Sequence, residues 1–125
     1  MAVTSTPAYP QSGDTETAQL TSANGTTETG NLFSGTTNGK LIREIRITSG
    51  AMGPRQGSSL LLLLYNGSDS RILETIRLQG GAYQRQATLY FSNLFLPSGK
   101  SIRAKMDETL DSACQLDIVC MSEVF

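Results

Sequence analysis

Short apolar stretches separated by polar punctuation run along this chain, and none keeps a helical period over the roughly ten residues that a packed helix needs. Alternation dominates instead. In KLIREIRIT, residues 40–48, Leu41, Ile45 and Ile47 fall on one face and Glu44, Arg46 and Thr48 on the other, with Ile42 and Arg43 interrupting the pattern. SIRAKM, residues 101–106, sets Ile102, Ala104 and Met106 against Ser101, Arg103 and Lys105. CQLDIVCMSEVF, at residues 114–125, has an inward set of Leu116, Ile118 and Cys120. YQRQATLYFSNLFL, residues 83–96, is long for one strand and predicts a break near Ser92 and Asn93; Tyr83, Ala87, Leu89 and Phe91 form its inward set, and Gln84, Gln86, Thr88 and Ser92 its outward one.

The leucine run is the exception to simple alternation. Residues 60–64 are all leucine, and the NGSD that follows Tyr65 is a hairpin signal, because Asn-Gly readily takes the positive φ of a tight turn. The return strand, SRILETIRLQ, would place Ile72, Ile76 and Leu78 on one face and Arg71, Leu73, Thr75 and Arg77 on the other. Within the leucine strand, Leu60, Leu62 and Leu64 point one way while Leu61, Leu63 and Tyr65 point the other. One core therefore hides only half of them, and the second side is expected to be covered within the domain, by a second subunit, by the N-terminal segment or by a partner.

With a weak strand at residues 30–35, the pattern gives seven or so strands and no helix, and connections too short for parallel crossovers. The expected fold class is all-β: a single antiparallel β-sandwich, jelly-roll-like, over residues 31–125. An immunoglobulin-like sandwich is the less favoured alternative, since the chain has no tryptophan for the usual cysteine–tryptophan–cysteine signature.

Residues 1–30 differ in composition. They are rich in threonine, with Val3, Tyr9 and Leu20 almost the only sizeable apolar groups, too few to offset the entropy of ordering. An extended or disordered N-terminal arm is expected, with Tyr9 between Pro7 and Pro10 as its aromatic anchor. Tyr9, Pro10, Leu20, Leu61, Leu63 and Tyr65 are thus the candidate partner-binding residues.

Charge narrows the partners. The net charge of −1 lacks the basic excess of a dedicated nucleic-acid binder. All 10 basic residues lie from Lys40 onward, leaving Asp14, Glu16 and Glu28 to the leader. The leucine run is too short to cross a membrane, and the first 20 residues have neither basic group nor apolar run to suggest a secretory signal.

Chemistry is sparse. There is no histidine, so the commonest general base and metal ligand are missing. GTTNGK, at residues 35–40, has the wrong glycine spacing for a phosphate loop, and Asp107, Glu108 and Asp111 lack calcium-loop spacing. Cys114 and Cys120 end one expected strand, about 20 Å apart, too far for a disulfide, so both are expected to be reduced and buried. No catalytic residue, metal site or cofactor is expected. A glycan-binding face would have Tyr90 as its best stacking platform.

In ANGTTETGNLFSGTTNGKLIREIRI, SSLLLLLYNGSDSRILETIRL and LPSGKSIRAKM, spanning roughly residues 23–106, the chain resembles the small accessory proteins of tailed-bacteriophage heads, the capsid decoration or cement proteins. The resemblance implies a non-catalytic virion protein that is assembled in the host cytoplasm. It would bind the major capsid protein on the outside of an icosahedral shell as a dimer or trimer, and stabilise that shell. A tail or head-fibre module and a glycan-binding β-sandwich remain the alternatives.

Overall fold

The computed structural model describes residues 12–50, 54, 57–80 and 84–125. Eight strands, β1 (Ser12–Thr21), β2 (Phe33–Ser34), β3 (Lys40–Ser49), β4 (Ser59–Tyr65), β5 (Ser70–Arg77), β6 (Arg85–Leu96), β7 (Ser101–Met106) and β8 (Gln115–Val124), form two four-stranded sheets with orders β1-β8-β3-β6 and β2-β7-β4-β5. Among the described residues, the one helical element is a single 3-10 turn at Ser22–Asn24.

The pairing β1 with β8, β2 with β7, β3 with β6 and β4 with β5 is that of one long antiparallel ribbon doubled back at the β4–β5 hairpin. Successive pairs of the ribbon alternate between the two sheets, and the cross-pairs β3 with β8 and β4 with β7 complete them. This is the jelly roll, two Greek keys wrapped around one core.

Between the sheets lie Leu20, Ile42, Ile45, Ile47, Leu96, Leu116, Ile118 and Cys120 from one side and Phe33, Leu60, Leu62, Ile76, Ile102, Ala104 and Met106 from the other. The inward sets expected for residues 101–106 and 114–125 are the observed ones. Cys114 and Cys120 are both buried and both free.

Three strands depart from strict alternation, each at a register irregularity. In β3 the pairing skips Arg43, so Ile42 faces inward with Ile45 and Ile47, and Leu41 belongs to the outer face rather than the core. Strand β6 bulges over Phe91, Ser92 and Asn93, where a break was expected. In β5 the shift at Leu73 turns Ile72 outward beside Leu63, whereas Ile76 stays inward opposite Leu60. Ile72, expected to share a buried face with Ile76, is 61% exposed. A bulge adds one residue to a period of two, and every side chain beyond it changes face.

The N-terminal boundary also moves. Residues 12–21, expected in the arm, are extended but belong to the sandwich: β1 pairs with β8 along its whole length, and Leu20 is buried in the core. Tyr9 and Pro10 lie outside the described residues. The tight turn into β3 depends on Gly39, whose φ is 87° and whose added Cβ would lie 2.0 Å from the Phe95 ring.

Candidate functional site

The β4–β5 hairpin answers where the leucines go. Asn66 closes it, its Oδ1 accepting hydrogen bonds from the backbone N–H groups of Ser68 and Asp69 at 3.1 and 2.9 Å, while Gly67 takes φ of 100°. Leu60 and Leu62 enter the core, and Leu61, Leu63 and Tyr65 line the outer face of the β2-β7-β4-β5 sheet. Register sets out that face in rows: Lys105, Leu61, Thr75; then Arg103, Leu63, Ile72; then Ser101, Tyr65, Ser70. Of the six residues expected to meet a partner, these three are brought together; Leu20 is not among them.

One end of the face is closed by the chain itself. After β1 the backbone crosses to the edge of β7, where Thr29 and Leu32 donate their N–H groups to the carbonyls of Ala104 and Ile102, both at 2.9 Å. From this segment the Glu28 carboxylate accepts hydrogen bonds from Ser70 Oγ at 2.8 Å and Arg103 Nη1 at 3.0 Å. Asn31 Oδ1 accepts from Arg103 Nε at 2.8 Å and Ser101 Oγ at 2.7 Å. The Arg103 guanidinium stacks 3.5 Å from the centre of the Tyr65 ring, and Tyr65 donates its hydroxyl to the Gly67 carbonyl at 2.9 Å. The Ser70 and Arg103 hydrogen bonds hold the Glu28 carboxyl below its ordinary pKa. Arg103 and Tyr65 are thereby committed to an internal network.

The other end stays open. Leu63 is only 6% exposed, flanked by Arg103 and Ile72, but Leu61 is half-buried and Ile72 stands out, with Lys105 and Arg77 exposed on the same outer side. The result is an apolar spot on a basic margin. Sequence periodicity missed Ile72 because the bulge at Leu73 leaves no compositional mark.

A second outer face, on the β1-β8-β3-β6 sheet, carries Tyr90 at 78% exposure beside Glu44 and Phe95 beside Leu41. Phe95 packs edge-on against Phe125, ring centres 6.2 Å apart. The charges on this face are largely internally matched, by Arg46–Glu44 and Arg43–Glu123, both at 2.9 Å.

The two cysteines lie in the interior rather than on either face. Burial pushes the Cys120 thiol up to about 12, and burial with the nearby Asp111 raises that of Cys114, so both are protonated, unreactive sulfurs at neutral pH. Among the described residues no group of acidic or cysteine side chains is placed to hold a metal ion. Nor, among them, is any helix long and apolar enough to cross a membrane.

No protein-family model matches the chain, and no curated protein matches it. Among solved structures, a chain of the cyanophage Pam1 capsid asymmetric unit is similar at 13% sequence identity and a TM-score of 0.48, over 99% of this chain and 94% of that one.

Proposed function

We propose that the protein is a non-catalytic structural component of a phage virion, seated on the outer surface of the capsid shell through the outer face of its leucine strand. Three features support this reading: the decoration-protein resemblance of the sequence, a jelly roll closed around a single core with both thiols buried, and an outer sheet face that is open at one end. The observation that carries it is Ile72, a large aliphatic side chain 61% exposed on the outer side of the β4–β5 pair. Beside it lie Leu61 and the basic Lys105 and Arg77. Burying such a side chain is worth roughly 1.5–3 kcal/mol, and the basic margin suits an acidic rim on the shell. A shell engages many copies at once, so modest contacts of this kind sum to firm attachment.

Co-sedimentation of the purified full-length protein with expanded, DNA-free shells of the cognate phage tests the function. The protein is expected to pellet with shells at a saturable stoichiometry and to raise their resistance to heat or denaturant. Protein that stays in the supernatant but is retained by polysaccharide would reverse the reading in favour of a glycan-binding module. Tyr90, isolated and exposed beside Glu44, is the observation that favours this second reading, and Tyr90→Ala would abolish retention there.

A further inference from the structure

Strand β1 is an end strand of its sheet: β8 lies on one side, and no described strand lies on the other. Such an edge presents a row of unpaired N–H and C=O groups, and monomeric proteins guard it with proline, lysine, a bulge or short length. The other three edges are guarded. Strand β2 has only 2 residues, β6 is broken by its bulge at residues 91–93, and β5 is bulged at Leu73 and carries Arg71, Glu74 and Arg77. Strand β1 has 10 residues, no proline, no lysine and an uninterrupted register from Ser12 opposite Val124 to Thr21 opposite Gln115.

Its side chains are arranged to receive a strand like itself. On the outer face stand Gly13 and the neutral, hydrogen-bonding Thr15, Thr17, Gln19 and Thr21. Its two acids, Asp14 and Glu16, fall on the inner side, and Glu16 is matched by the buried Lys40 ammonium. A shallow groove lined by Thr17, Ala18, Gln19, Asp117, Ile118 and Val119 lies over the β1–β8 pair next to this edge.

We propose that β1 is the interface between two copies of this chain, the two β1 strands pairing antiparallel about a two-fold axis beside Thr17 so that two four-stranded sheets become one. Charge limits the registers open to a second copy of β1. With the axis at Thr17, that residue meets its own copy, Thr15 meets Gln19, Glu16 meets Ala18 and Asp14 meets Leu20. No acid meets an acid. Moving the axis to residue 14, 15 or 16 sets the acids against themselves or each other, and like charges directly opposite destabilise a strand pair. The outer-face pairs are then Thr17 with Thr17, Thr15 with Gln19 and Gly13 with Thr21, all neutral, and threonine opposite threonine stabilises antiparallel neighbours. This interface is independent of the capsid reading, because it forms in the purified protein alone.

Sedimentation equilibrium of the full-length chain, with three variants, tests it. The unmodified protein is expected to show a concentration-dependent monomer–dimer equilibrium. Thr17→Lys, which sets two ammonium groups across the axis, is expected to raise the dissociation constant at least tenfold while leaving the β-sheet circular dichroism unchanged. Under mild oxidation, Thr17→Cys is expected to give a disulfide-linked dimer, since directly opposite Cα atoms of an antiparallel pair lie about 4.5–5.5 Å apart, within the span of a disulfide. Gln19→Cys, off the axis, is expected to cross-link far more slowly, and the buried native thiols do not compete. A full-length chain that stays monomeric at all concentrations overturns the proposal. So does a dimer that Thr17→Lys leaves intact, or equal cross-linking of the two cysteine variants.

Discussion

Glu28 shows how one residue ties a connection to a sheet. Its carboxylate holds Ser70 and Arg103 together, and its pKa lies below the ordinary value of 4.5 as a result. The sign of the linkage follows: a depressed folded-state pKa contributes stability that is fully present above about 4.5 and is lost as pH falls through the lowered value. Glu28→Gln is therefore expected to cost about 1 kcal/mol at pH 7, the scale of a partly exposed ion pair, and progressively less as pH falls from 4.5 through the lowered value. Urea midpoints of the two proteins measured across that range check this, and a constant gap at every pH would contradict it. Lys40 and Glu16 make a second such tie between β3 and β1, with the ammonium buried and the carboxylate partly in solvent.

At the scale of the strand, periodicity reads well where register is regular and fails at each bulge. Strands β7 and β8 alternate without interruption, and their inward residues were legible from spacing alone. In β3 and β5 a single irregular residue, Arg43 or Leu73, reassigns Leu41 and Ile72 to the outside. Nothing in the residue types announces this, because either residue also fits a regular strand. Strand β1 was unreadable for another reason. Its threonines have high β-propensity, but only Leu20 and the small Ala18 reach the core, so composition argued for an arm while the backbone pairing with β8 makes a strand. The leucine run was legible in outline, with two faces and two fates. Leu62→Ala is expected to destabilise the protein by about 2–5 kcal/mol, as a large-to-small change in a closed core. Leu61→Ala, on the half-open face, should cost less than about 1.5 kcal/mol, and thermal or urea unfolding measures both. Equal costs would mean that the outer face is as closed as the inner.

For the molecule as a whole, the doubled ribbon explains why a chain of this size can carry two differently used surfaces. All the large aliphatic inward residues are consumed by one core, and the outer faces are left to polar networks and a few exposed apolar groups. On one sheet the chain's own connection covers Tyr65 and Arg103 and leaves Leu61 and Ile72 uncovered; on the other, matched charges surround Tyr90. The open end of the first sheet is the surface assigned to the shell. The exposure of Ile72 and the covering of Tyr65 and Arg103 were not legible in the sequence, since they depend on a bulge and on a connection whose path is set by backbone pairing with β7. The most direct measurement is the co-sedimentation isotherm of Ile72→Asp with expanded shells, run beside the unmodified protein and Tyr90→Ala. Binding weakened at least tenfold by Ile72→Asp and left unchanged by Tyr90→Ala is the predicted result. Undiminished binding of Ile72→Asp would contradict the assignment of the leucine-strand face.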